Sequence, residues 1–320
     1  MFNSIDNIDL FSEDGTKIQA MFKVPNSETH LPITIINGDK KGKTMLITAG
    51  IHGCEYVGIQ AAIELAKEIE SKDIVGRVII IHPVNVPSFR SITPALVLED
   101  GKNINRMFPG NIEGTISERI AHVITHEFQD KSDFYLDLHG GDQNEMLTPF
   151  AFYPGVADED IIIEAKKIAN ALNIKYIVKS KATTGAYNSA AIRGIPSLLI
   201  ERGGRGLWET EEVCDYKNDV LSALYELGFV SEPVYNNTKE NPKDVINMNY
   251  LESNDEGCWY PEIKAGDMVT TGQKLGEIKD LFGEVIETFY SKVDGVVLYM
   301  TSSLSVGKGT PLVAYGEISS

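Results

Sequence analysis

Apolar and polar positions along the first 230 residues repeat with two different periods. Four short apolar runs have the length and β-branched content of buried strands; they are residues 44–49, 78–84, 134–138 and 197–200. Four longer segments carry apolar residues at helical spacing; they are residues 60–71, 117–129, 158–172 and 213–227. This alternation of strand and helix predicts an α/β domain that contains a parallel βαβ unit.

The two ends of the chain have different patterns. Polar and apolar positions mix over residues 17–22, and residues 32–36 precede an Asn37-Gly38 turn signal, which predicts edge strands and a hairpin. From about residue 235 to Lys243 the chain is polar and turn-prone, as is typical of a linker. Short strands with closely spaced glycines follow, up to Gly316. We therefore predict a large domain over residues 1–235 and a small all-β domain over residues 236–320.

Composition and charge limit the classes of function. The chain has 320 residues, 42% hydrophobic and 23% charged, which are ordinary values for a globular protein. Its 29 Lys and Arg against 46 Asp and Glu give a formal charge of -17, and the absence of a basic patch argues against a nucleic-acid partner. Three widely spaced cysteines, no signal-peptide pattern and no long apolar stretch predict a cytoplasmic protein without a membrane span.

Histidine and glutamate side chains follow the ends of predicted strands. His52 and Glu55 come after the first strand, His139 after the third, and Glu201 after the fourth. A catalytic zinc ion takes three N, O or S ligands and keeps one position for water. A His-x-x-Glu pair alone occurs by chance in many proteins, but two such strand ends with adjacent glycines favour a metal site.

Four sequence runs resemble the succinylglutamate desuccinylase/aspartoacylase family and occur in the order of that family. They are Leu46–Gly58, Asp100–Gly110, Asp137–Gly141 and Gly194–Glu201. The resemblance covers roughly residues 30 to 225 and implies a three-layer αβα, zinc-carboxypeptidase-like domain with a mixed sheet.

The resemblance also implies the chemistry of the site. His52, Glu55 and His139 would bind one zinc ion per subunit, and Glu201 would be the general base that activates water and protonates the leaving amine. The alternative for Glu201 is a structural salt bridge to Arg202 or Arg205.

Asn105 and Arg106 match the pair that binds the substrate carboxylate in the family. The family places a carbonyl-polarising arginine shortly before this pair, but residues 94–99 here contain none. Arg90 is a candidate substitute, and Tyr187, on a loop before Glu201, is a candidate substrate contact.

The implied activity is hydrolysis of the amide bond of a small N-acyl amino acid or a related compound. Two alternatives stay open at this point. The chain could be a metallocarboxypeptidase that acts on peptides, or, because of the missing arginine, a non-catalytic metal-containing binding protein.

Segments 265–276, 293–298 and 306–312 are similar to the β-barrel of biotinyl and lipoyl carrier domains. Carriers present their modified lysine in a short motif that is absent here, and Lys292 has the wrong neighbours for it. We expect the module to lack a covalent cofactor and to act as a lid, a surface for homo-oligomerisation or a site-shaping element.

Overall fold

The computed structural model describes residues 3–233 and 241–319. The predicted boundary at residues 235 and 236, and most of the predicted linker, lie outside these residues. The α-helices are α1 (Tyr56–Glu68), α2 (Val86–Ser91), α3 (Ile116–Val123), α4 (Glu159–Ala171), α5 (Ala186–Ile192) and α6 (Thr210–Glu226). Helix α3 continues into a π-helical turn at Ile124–Phe128, where the prediction extended one helix to residue 129.

Twenty strands complete the described structure. They are β1 (Asn3–Ile5), β2 (Lys17–Lys23), β3 (His30–Asn37), β4 (Lys40–Ala49), β5 (Val75–Ile81), β6 (Leu96–Val97), β7 (Lys102–Asn103), β8 (Phe134–His139), β9 (Glu145–Leu147), β10 (Phe150–Pro154), β11 (Tyr176–Ser180), β12 (Ser197–Glu201), β13 (Lys243–Glu252), β14 (Gly257–Pro261), β15 (Met268–Val269), β16 (Lys274–Lys279), β17 (Val285–Tyr290), β18 (Gly295–Thr301), β19 (Ser305–Val306) and β20 (Pro311–Ile318).

A mixed sheet of 14 strands runs through the molecule. Its strand order is β1-β2-β3-β5-β4-β8-β12-β10-β11-β13-β20-β18-β15, and β9 also pairs with β18. The central strands β5, β4, β8 and β12 are parallel. Strands β3 and β10 flank this group and run antiparallel to it. The sheet therefore places the carboxyl ends of β4, β8 and β12 side by side.

Helices lie against both faces of the sheet. Met45 and Ile47 of β4 belong to a core that includes buried residues of α1, α4 and α6. Leu46 between them belongs to a second core with buried residues of α3 and α5. Because successive side chains of a strand point to opposite faces, a strand covered on both faces needs a continuous apolar run. This explains the four apolar runs in the sequence.

Strand β3 departs from the predicted edge position. It pairs with β2 in an antiparallel hairpin, but its other side is covered by β5. Ile33, Ile35 and Ile36 are all buried, so β3 is apolar on both faces and fits the interior of the sheet. The Asn37-Gly38 turn leads into β4, which is not a neighbour of β3 because β5 lies between them.

The C-terminal region belongs partly to the large sheet. Strands β13, β15, β18 and β20 extend it, whereas β14, β16, β17 and β19 form a separate four-stranded sheet. A core that includes Trp259, Leu275 and Tyr315 packs within this region. In the described part of the chain, no helix combines the length and apolar character needed to cross a membrane.

Candidate active site

The carboxyl ends of three parallel strands bring the predicted residues together. Glu201, the last residue of β12, pairs in register with His139, the last residue of β8. Strand β4 lies on the other side of β8, and the segment from its end to α1 carries His52 and Glu55. Parallel strands deliver their carboxyl ends to one edge, where α/β folds bind ligands.

His52, Glu55 and His139 form a compact group of metal-capable donors. One ligand atom from each lies within 4.8 Å of the others. Glu55 Oε1 is 2.6 Å from Nδ1 of His52, and Glu55 Oε2 is 3.0 Å from Nδ1 of His139. All three side chains are largely buried, with exposed fractions of 16%, 6% and 2% in chain order.

Hydrogen bonds at Nε2 of both imidazoles fix the orientation of the two rings and their tautomers. Nε2 of His52 donates to Oδ1 of Asn103 at 3.2 Å, and Nε2 of His139 donates to Oδ2 of Asp137 at 3.1 Å. In the neutral tautomers each Nδ1 then carries a lone pair that faces Glu55. Glu55 Oε2 is buried, and Nδ1 of His139, 3.0 Å away, is the polar atom of the described residues that approaches it. Lone pairs that converge in this way are stabilised by a cation among them, and the set of two imidazoles and one carboxylate fits zinc.

The charges in this group depend on one another. Burial raises the pKa of Glu55, but attraction to His139 and His52 outweighs it and lowers the pKa to about 2. Burial raises the pKa of Glu201 well above its usual range, and repulsion from Glu55 and Glu145 adds to the effect. Glu201 is therefore more basic than an ordinary carboxylate and is suited to proton transfer near neutral pH.

Buried polar groups hold the strand ends in place. The Tyr216 hydroxyl donates to the backbone carbonyls of His139 and Ile200, at 2.8 and 2.6 Å. Arg202 donates to the buried carboxylate of Asp219 at 2.7 Å and also pairs with Asp215. Its guanidinium is therefore committed to α6 and forms no ion pair with the preceding residue, Glu201.

Gly140, directly after His139, lets two backbone segments come close together. A Cβ atom at this position would lie 2.2 Å from the carbonyl oxygen of Arg202. Because this obstacle is backbone rather than a flexible side chain, only glycine fits without displacing a strand end. This glycine, one of those adjacent to the strand ends, thus serves chain packing beside the site.

A cavity of about 730 Å³ opens next to these groups and contains three of the predicted substrate residues. Arg106 is exposed in it, and among the described residues its guanidinium has no carboxylate partner. Asn105 also lines the cavity, but its Oδ1 accepts a hydrogen bond from the backbone N–H of Ala186 at 2.9 Å. It therefore also anchors the start of α5. Tyr187 of α5 lines the cavity and is 5% exposed.

Arg90 does not line the cavity of the candidate site. It lies in the last turn of α2 and lines a separate cavity of about 460 Å³ together with Glu28 and Glu99. Ala95, from the segment where the family carries its carbonyl-polarising arginine, does line the candidate site. Arg90 and the other predicted site residues therefore line different cavities.

The C-terminal strands supply part of the cavity wall. Tyr250 and Glu252 of β13, Tyr299 of β18, and Pro311 and Val313 of β20 all line it. The ring of Tyr299 stacks on Phe150 of β10, with the ring centroids 6.5 Å apart. The site is therefore built from both predicted domains.

Three residues of the site were given no role by the sequence reasoning. Asn103 lies inside a matched run, next to the Asn105-Arg106 pair that was given a role. Asp137 is an acidic residue in an otherwise apolar strand, which is a signal for a buried functional carboxylate. Glu145 reaches the cavity because β9 pairs with β18, and no local pattern indicates it.

Known proteins share this fold and sequence pattern. The model of the succinylglutamate desuccinylase/aspartoacylase catalytic domain matches residues 41–226. The N-alpha-acetyl-L-2,4-diaminobutyric acid deacetylase of Halomonas elongata is 28% identical, with 96% of this chain and 93% of that protein aligned.

Two solved structures cover nearly the whole chain. The succinylglutamate desuccinylase/aspartoacylase of Rhodobacter sphaeroides has a TM-score of 0.86 at 26% identity, covering 97% of this chain and 98% of the other. The product-bound ectoine utilization protein EutE (DoeB) of Ruegeria pomeroyi has a TM-score of 0.86 at 24% identity, covering 95% and 96%, and shows the shared fold. Since the family model spans more than half of the sequence, the chain belongs to the succinylglutamate desuccinylase/aspartoacylase family.

Proposed function

We propose that this protein is a zinc-dependent hydrolase that cleaves the amide bond of a small N-acyl amino acid. The observation that carries the proposal is the convergence of two imidazole lone pairs and the Glu55 carboxylate beside the basic Glu201. Family membership supports amide hydrolysis as the class of reaction. The relative from Halomonas elongata is named for the removal of an acetyl group from an amino acid.

His52, Glu55 and His139 would hold the zinc ion through Nδ1, a carboxylate oxygen and Nδ1. When bound, zinc supplies Lewis-acid polarisation of a carbonyl group and a lowered pKa for water. Asn103 and Asp137 keep both imidazoles in the tautomer that this binding requires, because each accepts the Nε2 proton.

Glu201 would transfer the proton in both halves of the reaction. Its carboxylate accepts a proton from the attacking water, whose oxygen bonds to the carbonyl carbon of the acyl group. The same proton passes to the leaving nitrogen as the C–N bond breaks, which releases a carboxylic acid and a free amine. Burial raises the pKa of this carboxyl, which makes the carboxylate a stronger base for the first step.

Arg106 would orient the substrate. Its side chain lines the cavity without a carboxylate partner among the described residues, and guanidinium geometry suits bidentate binding of a carboxylate. A cavity of about 730 Å³ has the volume of a small-molecule site. Together these features favour a free amino-acid carboxylate at one end of a compact substrate.

The C-terminal strands give the cavity its second wall, which favours the site-shaping role for the module. We propose residues 1–235 as a carboxypeptidase-like catalytic domain and residues 236–320 as a lipoyl-like accessory domain without a covalent cofactor.

Metal analysis and a substrate panel test the proposal. The purified protein should contain about one zinc ion per chain and hydrolyse at least one N-acetyl amino acid. The Glu201→Gln variant should retain zinc and lose at least about 100-fold in kcat, the usual contribution of a general base. Glu211→Gln, an exposed position on α6, is the matched control and should have unchanged kcat. A zinc-loaded protein that turns over no member of the panel would refute the deacylase assignment.

A further inference from the structure

Two histidines away from the candidate active site lie side by side on the surface of the molecule. His122 is in the last turn of α3, and His126 follows four residues later in the π-helical turn Ile124–Phe128. Side chains four residues apart are neighbours on one face of a helix. The centroids of the two rings are 4.3 Å apart, with an angle of 56° between the ring planes. Neither ring lines the cavity of the candidate active site.

An acidic side chain fixes the orientation of the His126 ring. Nδ1 of His126 donates to Oδ2 of Asp130 at 2.8 Å, because an ionised carboxylate can only accept. The neutral imidazole then carries its lone pair on Nε2. Histidines that bind metals commonly donate their other ring N–H to a carboxylate in this way. The hydrogen bond to Asp130 therefore leaves Nε2 of His126 free as a metal donor.

The Asp130 carboxylate is itself held in place. Its Oδ1 accepts a hydrogen bond from Nε of Arg193 at 3.1 Å. The same guanidinium donates to the side chain of Gln129 and to the backbone carbonyl of Ser189. Both oxygens of Asp130 are therefore bound, although 36% of its side chain is exposed. This network gives the His126 ring a fixed support at the surface.

His122 supplies a second donor beside the first. Among the described residues, no hydrogen bond reaches either nitrogen of its ring. The ring is partly exposed, and 46% of the neighbouring His126 side chain is exposed. Both imidazoles can therefore be reached by an ion from solution.

The spacing of the rings suits two ligands of one metal ion. An ion about 2.1 Å from a ring nitrogen lies about 3.2 Å from the centroid of that ring. Two centroids 4.3 Å apart then correspond to an angle of about 85° at the ion. Square-planar and octahedral ions hold adjacent ligands at about 90°, whereas zinc favours the wider tetrahedral angle. Two imidazoles at this spacing therefore favour Ni²⁺ or Cu²⁺.

The charges around the pair do not oppose a cation. Glu127 pairs with Lys131 at 3.0 Å, and Asp130 pairs with Arg193 at 3.1 Å. Both carboxylates lie within electrostatic reach of His122. These four local charges cancel, while the formal charge of -17 on the whole chain attracts cations. Binding at this position would therefore depend on the two imidazoles.

We propose that His122 and His126 form a metal site, separate from the candidate active site, that takes Ni²⁺ or Cu²⁺ through two imidazole nitrogens. Asp130 orients one of the rings and does not bind the ion. Water completes the coordination, because the pair lies at the surface. This site does not depend on the proposed deacylase function.

Calorimetric titration with Ni²⁺ tests the site, in protein that has first been loaded with one equivalent of zinc. The wild type should bind one more Ni²⁺ ion per chain than the double variant His122→Gln/His126→Gln. Each single variant should bind this ion at least about 10-fold more weakly, since the loss of a ligand costs no less than the loss of a group that orients one. Asp130→Ala should weaken the binding by about 10-fold.

His30→Gln is the matched control. His30 is also partly exposed, but it lies in β3, where its Nδ1 is 3.0 Å from the backbone carbonyl of Glu28. Its replacement should leave the binding of Ni²⁺ unchanged. Any Ni²⁺ that enters the candidate active site does so in the wild type and in all variants, so the comparison isolates the surface pair.

Thermal denaturation gives a second readout. Without added Ni²⁺, the double variant should melt within about 2 °C of the wild type, since replacing partly exposed side chains changes stability little. Added Ni²⁺ should raise the melting temperature of the wild type and of His30→Gln more than that of the double variant, because a ligand stabilises the state that binds it.

The other outcomes overturn the proposal. Equal uptake of Ni²⁺ by the wild type and the double variant would show that the pair is not a metal site. Loss of binding in only one single variant would show that one imidazole suffices. Unchanged binding in Asp130→Ala would remove the orienting role of the carboxylate. A double variant that melts far below the wild type without metal would make the pair a part of the fold. Activity on N-acyl amino acids, present or absent, changes none of these results.

Discussion

Asp137 offers a direct test of how the metal donors are oriented, through the substitution Asp137→Asn. The carboxylate is fully buried; Oδ1 accepts from the Thr48 hydroxyl at 2.7 Å and Oδ2 accepts from Nε2 of His139 at 3.1 Å. If the asparagine keeps its oxygen towards Thr48, its NH₂ group faces Nε2 of His139. The imidazole must then carry its proton on Nδ1, the atom that faces Glu55.

The expected loss of zinc affinity follows from this change of tautomer in His139. Changes in groups that orient a metal-binding histidine usually reduce metal affinity or activity by about 10- to 100-fold. That range corresponds to about 1.4–2.7 kcal/mol, because each factor of ten is 1.36 kcal/mol. The lower end applies if the amide flips and the Thr48 hydroxyl turns to donate to Tyr135, whose own hydroxyl lies 2.6 Å away.

Zinc affinity is measured by competition between the zinc-free protein and a chromophoric chelator. Asp133→Asn is a suitable control, since Asp133 precedes the same strand at its far end and accepts from the backbone N–H of Thr44. The control should bind zinc like the wild type. A zinc affinity of Asp137→Asn within about twofold of the wild type would refute the assigned orientation of His139.

Three further predictions concern other residues. Arg90→Ala should leave kcat/KM within about twofold, because Arg90 lines the other cavity, and a 10-fold loss in steady-state kinetics would place it in the reaction. Tyr216→Phe leaves two buried carbonyls with one partner fewer, so chemical denaturation should show a loss of about 1–3 kcal/mol, whereas an unchanged midpoint would contradict the bridging role. Burial lowers the pKa of His82 from 6.5 to about 4, so the unfolded state binds its proton first and stability falls as the pH drops from 6.5 towards 4. Between pH 7 and 4.5 the wild type should lose about 2 kcal/mol more than His82→Gln, and parallel stability curves would show that His82 is not buried as a neutral group.

The sequence predicted the central elements well because their patterns are local. Strands covered on both faces require continuous apolar runs, and β4, β5, β8 and β12 carry them. The start of β4 was missed, since Lys40–Lys43 is polar and becomes a strand only by pairing with β5. Helix α1 begins at Tyr56 rather than at residue 60, directly after Glu55.

The candidate site was predictable to the extent that it lies at strand ends. His52, Glu55, His139 and Glu201 each follow an apolar run, and the structure brings them together. The position of Glu145 in the cavity depends on a pairing between strands that are far apart in sequence, which no local pattern reveals. The location of Arg90 in a separate cavity depends likewise on how α2 packs.

The continuous sheet determines which segments of the chain hold the proposed metal donors and which segments line the rest of the cavity. The donors that would hold the metal lie on the segment after β4 and at the end of β8, whereas residues of β13, β18 and β20 line another part of the cavity. The proposed metal donors and part of the cavity wall therefore lie in separate stretches of one chain that hydrogen bonds join into a single sheet. Under the proposed function, replacing side chains in the last 80 residues would change this part of the cavity wall and leave the residues that would hold the metal unchanged.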